Sequence, residues 1–217
     1  AEIMRLEEAG LLDRTDEIGR YLDGLPETWT ELTLEQLLTH TAGLPDHFAI
    51  FNTNPATPFD WASDHTAAEL VAEFVALDAD LASPPGTSFI YSSTGYVMLT
   101  AVIEEMTGQS FGAAMDEDLF APLGLTTTSF CTPDIVGLAR GYNIGPDGPA
   151  RGPEVPAWFL SGAAGVCSTA GDAIRWQRSL VSGDVVDPDT FELMTTPSTL
   201  NDGSSTDYGY GLNLADL

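Results

Sequence analysis

Strand signals in this chain are short and isolated, whereas apolar residues recur at helical spacing in one run after another. In "LTLEQLLTHTAGLP", Thr33 stands at a capping position with Glu35 and Gln36 in the first turn. Leu34, Leu37 and Leu38 form the apolar stripe, and Gly43 and Pro45 close the segment. Residues 66–77, "TAAELVAEFVAL", form a second amphipathic helix. A third runs from Thr94 to Met106, closed by Gly108, and "SFGAAMDEDLFAPLGL" gives a fourth that ends at Pro122-Leu123-Gly124. In "CSTAGDAIRWQRSLVSG", Ser168 or Thr169 is the cap, Asp172 lies in the first turn and Gly183 follows the end. "DPDTFELMTTP" places Pro188 near a first helical position. The opening "AEIMRLEEA" puts Ile3, Met4 and Leu6 on one face before Gly10. No cap precedes it, so this helix is expected to begin upstream of Ala1. "LLDRTDEIGRYLDGLP" reads as turns with short helical pieces.

Against this stand only a turn and short strand in "ASPPGTSFIYS" and the start of a strand in "YGYGLNL". Residues 143–156, rich in glycine and proline, read as a surface loop. No set of long strands is available to build a sheet. The expectation is a mainly helical α+β unit spanning residues 1–217.

The charge restricts the partners. There are 33 acidic residues against seven basic ones, all arginine, for a net charge of −26; the chain contains no lysine. Phosphate-rich partners would be repelled, which argues against nucleic acid and anionic membrane. No apolar run is long enough to span a bilayer. A solvated acidic surface accounts for the charge; adaptation to high salt is the sharper alternative.

Several candidate sites weigh differently. Gly108-Gln109-Ser110-Phe111-Gly112 matches a nucleophile elbow, but a helix rather than a strand precedes it and no histidine follows His65. It reads as a junction between helices. His40, His47 and His65 lie near Asp46 and Asp64 without the spacing that aims two imidazoles at one ion. No metal and no cofactor is expected, and His40 is read as making a buried hydrogen bond. Cys131 and Cys167 form no disulfide framework and read as two small buried thiols. The loop 45–65 carries Phe48, Phe51, Phe59 and Trp61. These aromatics either form a functional surface or anchor the loop to the core.

"PPGTSFIYSSTGYVMLTAVIEEMTGQSF" resembles the Tyr-x-Asn region of the serine β-lactamase and penicillin-binding protein-like superfamily. The resemblance is to the branch of class C β-lactamases, D-alanyl-D-alanine carboxypeptidases and family VIII esterases. "LTLEQLLTHTAGLPDH", "APLGLTTTSF" and "SGAAGVCSTAGDAIRWQRSL" resemble three further landmarks of that group, in the same order and across nearly the whole chain. The resemblance implies an α+β fold of the β-lactamase/transpeptidase-like type. Most of its central antiparallel sheet is missing from this segment.

The resemblance also implies a serine hydrolase that cleaves a small-molecule ester or amide through an acyl-serine intermediate. The nucleophile sits on an S-x-x-K helix, and a lysine and a tyrosine share proton transfer. Tyr91 occupies the place of that general acid/base. Ser93 stands where the family usually has asparagine and would contact substrate or the lysine. Its shorter side chain offers fewer donors, which favours an ester over a β-lactam or peptide amide. Phe48, Trp61 and Trp158 are candidate pocket walls. Without a lysine, S-x-x-K cannot occur in these residues. "AEIMRLEEAGLL" resembles the continuation of that helix, so the serine and lysine are expected just upstream of Ala1. The third motif, Lys-Thr-Gly or His-x-Gly, is expected after Leu217. This chain alone is therefore expected to be inactive. A non-catalytic binding or scaffolding homologue, and a metal-dependent hydrolase using the histidines, are the rival readings. The residues themselves set no compartment; the resemblance implies an extracytoplasmic or periplasmic one.

Overall fold

A computed structural model describes residues 1–46, 65–131, 135–146, 148–152 and 162–214. The helical runs form in sequence order: α1 (Glu2–Glu8), a short 3-10 turn (Ile18–Arg20), α2 (Glu27–Thr30), α3 (Leu34–Leu38), α4 (Ala67–Ala76), α5 (Ser93–Thr107) and α6 (Phe111–Met115). After two small strand pairs come α7 (Ala170–Ser182) and α8 (Pro188–Met194).

Helix α5 is the hub. It is apolar around most of its circumference, with Val97, Met98, Leu99, Ala101, Val102 and Ile103 all buried, so it must be enclosed on several sides. Helices α1, α3, α4 and α6 pack against it. Trp29, Leu32, Leu34, Leu37 and Phe74 complete the surrounding core. The signals read from the sequence act where they were placed. The Thr33 hydroxyl accepts the Gln36 N–H while the Gln36 side chain accepts the Thr33 N–H, a reciprocal cap on α3. Thr169 caps α7 through the Asp172 N–H, and Gly183 ends that helix in the left-handed region. Pro188 opens α8, where a missing N–H costs nothing. The fourth helical run departs from expectation. It widens after Met115 into a π turn over Asp116–Phe120, ahead of Pro122, which cannot continue an α-helical ladder.

The strands differ more from expectation. Residues 143–156, read as a loop, contain an antiparallel hairpin of β2 (Tyr142–Gly145) and β3 (Gly148–Arg151), with Tyr142 opposite Arg151 and Gly145 opposite Gly148. Ile144 is 89% exposed, so neither face of the ribbon is buried and no alternation of apolar residues marks it. The short strand expected before Tyr91 runs extended and unpaired as a strand; its backbone bonds to a turn instead. The terminal "YGYGLNL" folds back on itself, pairing Tyr208 with Asn213. Gly209 makes this possible, because a Cβ there would collide with the Met194 carbonyl.

The reading of Cys131 and Cys167 as free buried thiols is corrected: the two form a disulfide, with Cα atoms 5.0 Å apart. Strands β1 (Ser129–Phe130) and β4 (Val166–Cys167) pair antiparallel, setting Ser129 opposite Cys167. Cys131 lies one residue beyond, bonded from its N–H to the Gly165 carbonyl at 2.7 Å. A sequence separation of 36 carries no hint of this pairing.

Candidate active site

The turn that follows α3 sets up the site. The Thr39 hydroxyl donates to the Glu35 carbonyl at 2.8 Å, and His40 then takes a left-handed backbone, φ 56°. That conformation is uncommon for a residue with a bulky side chain. It turns the imidazole inward, where it is 96% buried (4% exposed). The extended segment leading to α5 lies against this turn. The Ile90 N–H donates to the His40 carbonyl at 2.9 Å, and the Ser92 N–H donates to His40 Nδ1 at 3.2 Å. Residues 90 and 92 face His40, so Tyr91 between them projects outward by the alternation of an extended chain. It is 55% exposed, yet its ring still rests on the imidazole, with centroids 4.3 Å apart.

Phe89, Tyr96 and Tyr208 complete an aromatic cluster around His40. The Tyr96 hydroxyl donates to the Leu38 carbonyl at 2.8 Å, and burial raises its phenol well above the ordinary value. Burial, and next the neighbouring Tyr91, raise Tyr208 as well. His40 moves in the other direction. Desolvation pushes the imidazole down to about 4, against the pull of the Asp46 carboxylate, so the ring is neutral at ordinary pH. The expected buried hydrogen bond of His40 is present at Nδ1.

The start of α5 is held from a distance. Ser92 at the cap position makes no side-chain capping bond. Instead the Asp46 carboxylate accepts the Ser93 N–H at 2.8 Å, satisfying an otherwise free amide at the positive end of the helix. The Pro45 carbonyl accepts the hydroxyls of Ser92 at 3.1 Å and Thr94 at 2.8 Å. Tyr91 and Ser93 are thus brought together on one turn, Tyr91 at the surface and Ser93 buried. The candidate wall residues Phe48, Trp61 and Trp158 lie outside the described residues. Sequence reasoning weighed Asp46 only as a neighbour of the histidines and gave Phe89 and Tyr208 no part in the site. The pattern of capping cannot reveal a cap supplied 47 positions away, and Tyr208 was read only as part of a strand.

Other features stand apart from Tyr91. Ser110 of the elbow-like motif accepts the Ala113 N–H at 3.4 Å and caps α6, the structural role expected of it. Among the described residues no three His, Cys, Asp or Glu side chains gather to hold a metal ion; His47 and Asp64 lie outside them. Arg5, Arg14, Arg20 and Arg175 are committed to Glu2, Glu7, Asp16 and Asp172. A cavity of about 500 Å³ lies on the other side of Tyr96, walled by Leu99, Ile103, Phe120 and Trp176, and includes neither Tyr91 nor Ser93. Gly162, at its edge, has no room for a side chain, because a Cβ would run into the Thr100 hydroxyl. Asp172 ties α7 to the segment before β1. Its carboxylate accepts from the Thr127 N–H and hydroxyl, both at 2.7 Å, and these bonds hold it below the usual range.

A helical subdomain packed around α5, with the tyrosine turn at its N-terminus, defines the β-lactamase/transpeptidase-like α+β fold. The chain belongs to the beta-lactamase family, whose model matches residues 1–217. It is 30% identical over 227 residues to penicillin-binding protein 4* of Bacillus subtilis, covering 96% of this chain and 48% of that protein. A D-aminopeptidase of Gluconobacter oxydans is 24% identical over 81% of this chain and 33% of its own length. The D-amino acid amidase of Ochrobactrum anthropi, solved with L-phenylalanine amide, superposes with a TM-score of 0.77 at 27% identity. That match covers 97% of this chain and 61% of the amidase. The chain spans about half the length of the curated relatives it matches. These relationships place it in the serine β-lactamase and penicillin-binding protein-like superfamily.

Proposed function

We propose that this chain supplies the tyrosine wall of the active site in a serine hydrolase, with Tyr91 as the general acid/base. The observation that carries this is the geometry at Tyr91. Its ring is exposed, while the amides on either side of it are bonded to a buried histidine. A general base needs a fixed position before it needs a tuned pKa. In the reaction, a serine oxygen attacks the acyl carbon and its proton passes to the tyrosine–lysine pair. The leaving group departs with a proton returned from that pair, and water then releases the acyl-serine by the same route. The serine and lysine of such a pair are not among these residues, which contain no lysine.

Ser93 supports an ester as the preferred substrate. An asparagine at this position would offer an amide to an amide-bearing substrate; a serine leaves such groups unpaired. The names of the relatives favour a second substrate class, since D-aminopeptidases and a D-amino acid amidase act on amides. The test compares kcat/KM of the intact protein that contains this chain for p-nitrophenyl butyrate, D-phenylalanine p-nitroanilide and a chromogenic cephalosporin, before and after Ser93→Asn. The ester is expected to be the best substrate. The substitution should raise amide and β-lactam turnover relative to ester by roughly 5- to 100-fold, the equivalent of one lost polar contact. An unmoved ratio would remove Ser93 from substrate selection. An intact protein that carries the serine and lysine yet turns over none of the three, and is not labelled by a fluorophosphonate, would favour the non-catalytic homologue.

A further inference from the structure

The mechanism leaves His40 without a role, although it is buried, sits in a conformation few residues adopt, and packs against the rings of Phe89, Tyr91, Tyr96 and Tyr208. We infer that His40 is the positioning residue for Tyr91: its Nδ1 and carbonyl hold the amides on either side of the tyrosine, and its ring face carries the phenol. The inference rests on the reading of Tyr91 as the acid/base.

Two independent features support it. The first is the pair of hydrogen bonds. Ile90 and Ser92 bracket Tyr91, and both donate to the same residue, one to its backbone and one to its side chain. Tyr91 cannot shift along the chain or rotate about it without breaking one of them. The second is the backbone. At φ 56° a glycine or asparagine is the residue of lowest cost. Glycine would offer neither an acceptor for Ser92 nor a surface for the Tyr91 ring. The histidine supplies both, together with contacts to Phe89 and Tyr208 on the far side.

The imidazole must be neutral to accept at Nδ1, and burial ensures this above about pH 4. The groups facing it are the Asp46 carboxylate and the phenols of Tyr91, Tyr96 and Tyr208. In this state the proton is on Nε2, which is buried without a hydrogen-bond partner among the described residues. A ring serving only the core would gain by turning that nitrogen toward an acceptor. This orientation instead serves the bond to Ser92.

Three substitutions separate the functions of the side chain. His40→Asn keeps an acceptor and tolerates the backbone, His40→Phe keeps a ring without an acceptor, and His40→Gly keeps the backbone alone. In the intact protein that contains this chain, ester kcat should fall in the order wild type, then Asn and Phe, then Gly, with at least a tenfold loss in Gly and KM within about twofold throughout. Two readouts do not depend on activity. In protein with 13C-labelled tyrosine, the Tyr91 resonance, assigned with Tyr91→Phe, should move in the Asn and Gly variants as the imidazole ring current disappears. Hydrogen exchange at Ser92 should remain slow in Asn and become fast in Phe and Gly. If Gly fails to fold, the Asn and Phe pair gives the same discrimination.

An unmoved Tyr91 resonance with Ser92 exchange unchanged across the folded variants overturns the positioning role. So does wild-type kcat in all the folded variants while Tyr91→Phe is inactive. Full activity of Tyr91→Phe instead defeats the reading of Tyr91 as the acid/base and leaves His40 with nothing catalytic to position.

Discussion

Tyr91 and Tyr142 are exposed to similar extents, 55% and 62%, and both lie in short extended segments close to proline and glycine. Their surroundings differ. The backbone on both sides of Tyr91 is bonded to a buried histidine, and the helix that follows it is capped by a carboxylate from another part of the chain. Tyr142 belongs to a ribbon that pairs with itself and has both faces in solvent. Exposure alone does not mark a working side chain. An exposed group whose neighbouring backbone is over-determined is the feature that suits catalysis, because a catalytic group must be accessible and fixed together.

The sharpest separation of the two regions comes from paired substitutions. Tyr91→Phe should lower ester kcat/KM by about 10²- to 10⁴-fold, the usual cost of losing a positioned acid or base. Tyr142→Phe should leave it within about twofold. Both variants should keep the wild-type melting temperature within about 2 °C, since neither hydroxyl makes a core contact. Equal losses in the two would end the comparison.

Next in size is the disulfide. Cutting the link between Cys131 and Cys167, by reduction or by a Cys167→Ser substitution, should cost about 3–4 kcal/mol for a closed loop with a sequence separation of 36. Denaturant titration reads the loss, and a change under 1 kcal/mol would show that the β1–β4 pair stands without the link. Among the described residues the tyrosine turn shares no hydrogen bond with that pair, so His40–Tyr91 contacts should survive reduction.

His40 predicts a pH dependence of similar size. Its folded-state value of about 4 lies below the ordinary 6.5, so between these values the unfolded chain binds a proton that the folded chain does not. Stability therefore rises with pH across this window and is lost as pH falls from about 6.5 to 4, by at most ~3 kcal/mol. The comparison is with His40→Asn, which lacks the imidazole and whose profile should be flatter. Identical slopes would contradict a buried neutral imidazole. The smallest effect is that of Asp46→Ala, which removes the acceptor for the Ser93 N–H and should cost about 1 kcal/mol.

How far the sequence revealed these features depends on the range of the interaction. Thr33, Thr169, Pro188 and Gly183 act within one turn of their own helices, and their meaning is local. Helix α5, read as one more amphipathic helix, is instead buried around most of its circumference. The β2–β3 hairpin escapes because an exposed ribbon has no buried face to impose alternation. The disulfide escapes because β1 and β4 meet only through the fold. At the candidate site, Tyr91 and Ser93 were proposed through their motif, and His40 was read as a buried hydrogen bonder. That His40 bonds to the residue after Tyr91, and that Asp46 caps α5, depends on contacts of 47 to 52 positions in sequence. No local pattern encodes contacts at that range.

The central claim concerns a proton transferred by Tyr91, and the acylation step isolates it. With the intact protein that contains this chain in excess over p-nitrophenyl butyrate, a single turnover releases p-nitrophenolate at the rate of acyl-serine formation. Tyr91→Phe should slow that release by about 100-fold or more, while His40→Asn retains most of the wild-type rate. Release from Tyr91→Phe at the wild-type rate would show that another group takes the serine proton, and would contradict the account.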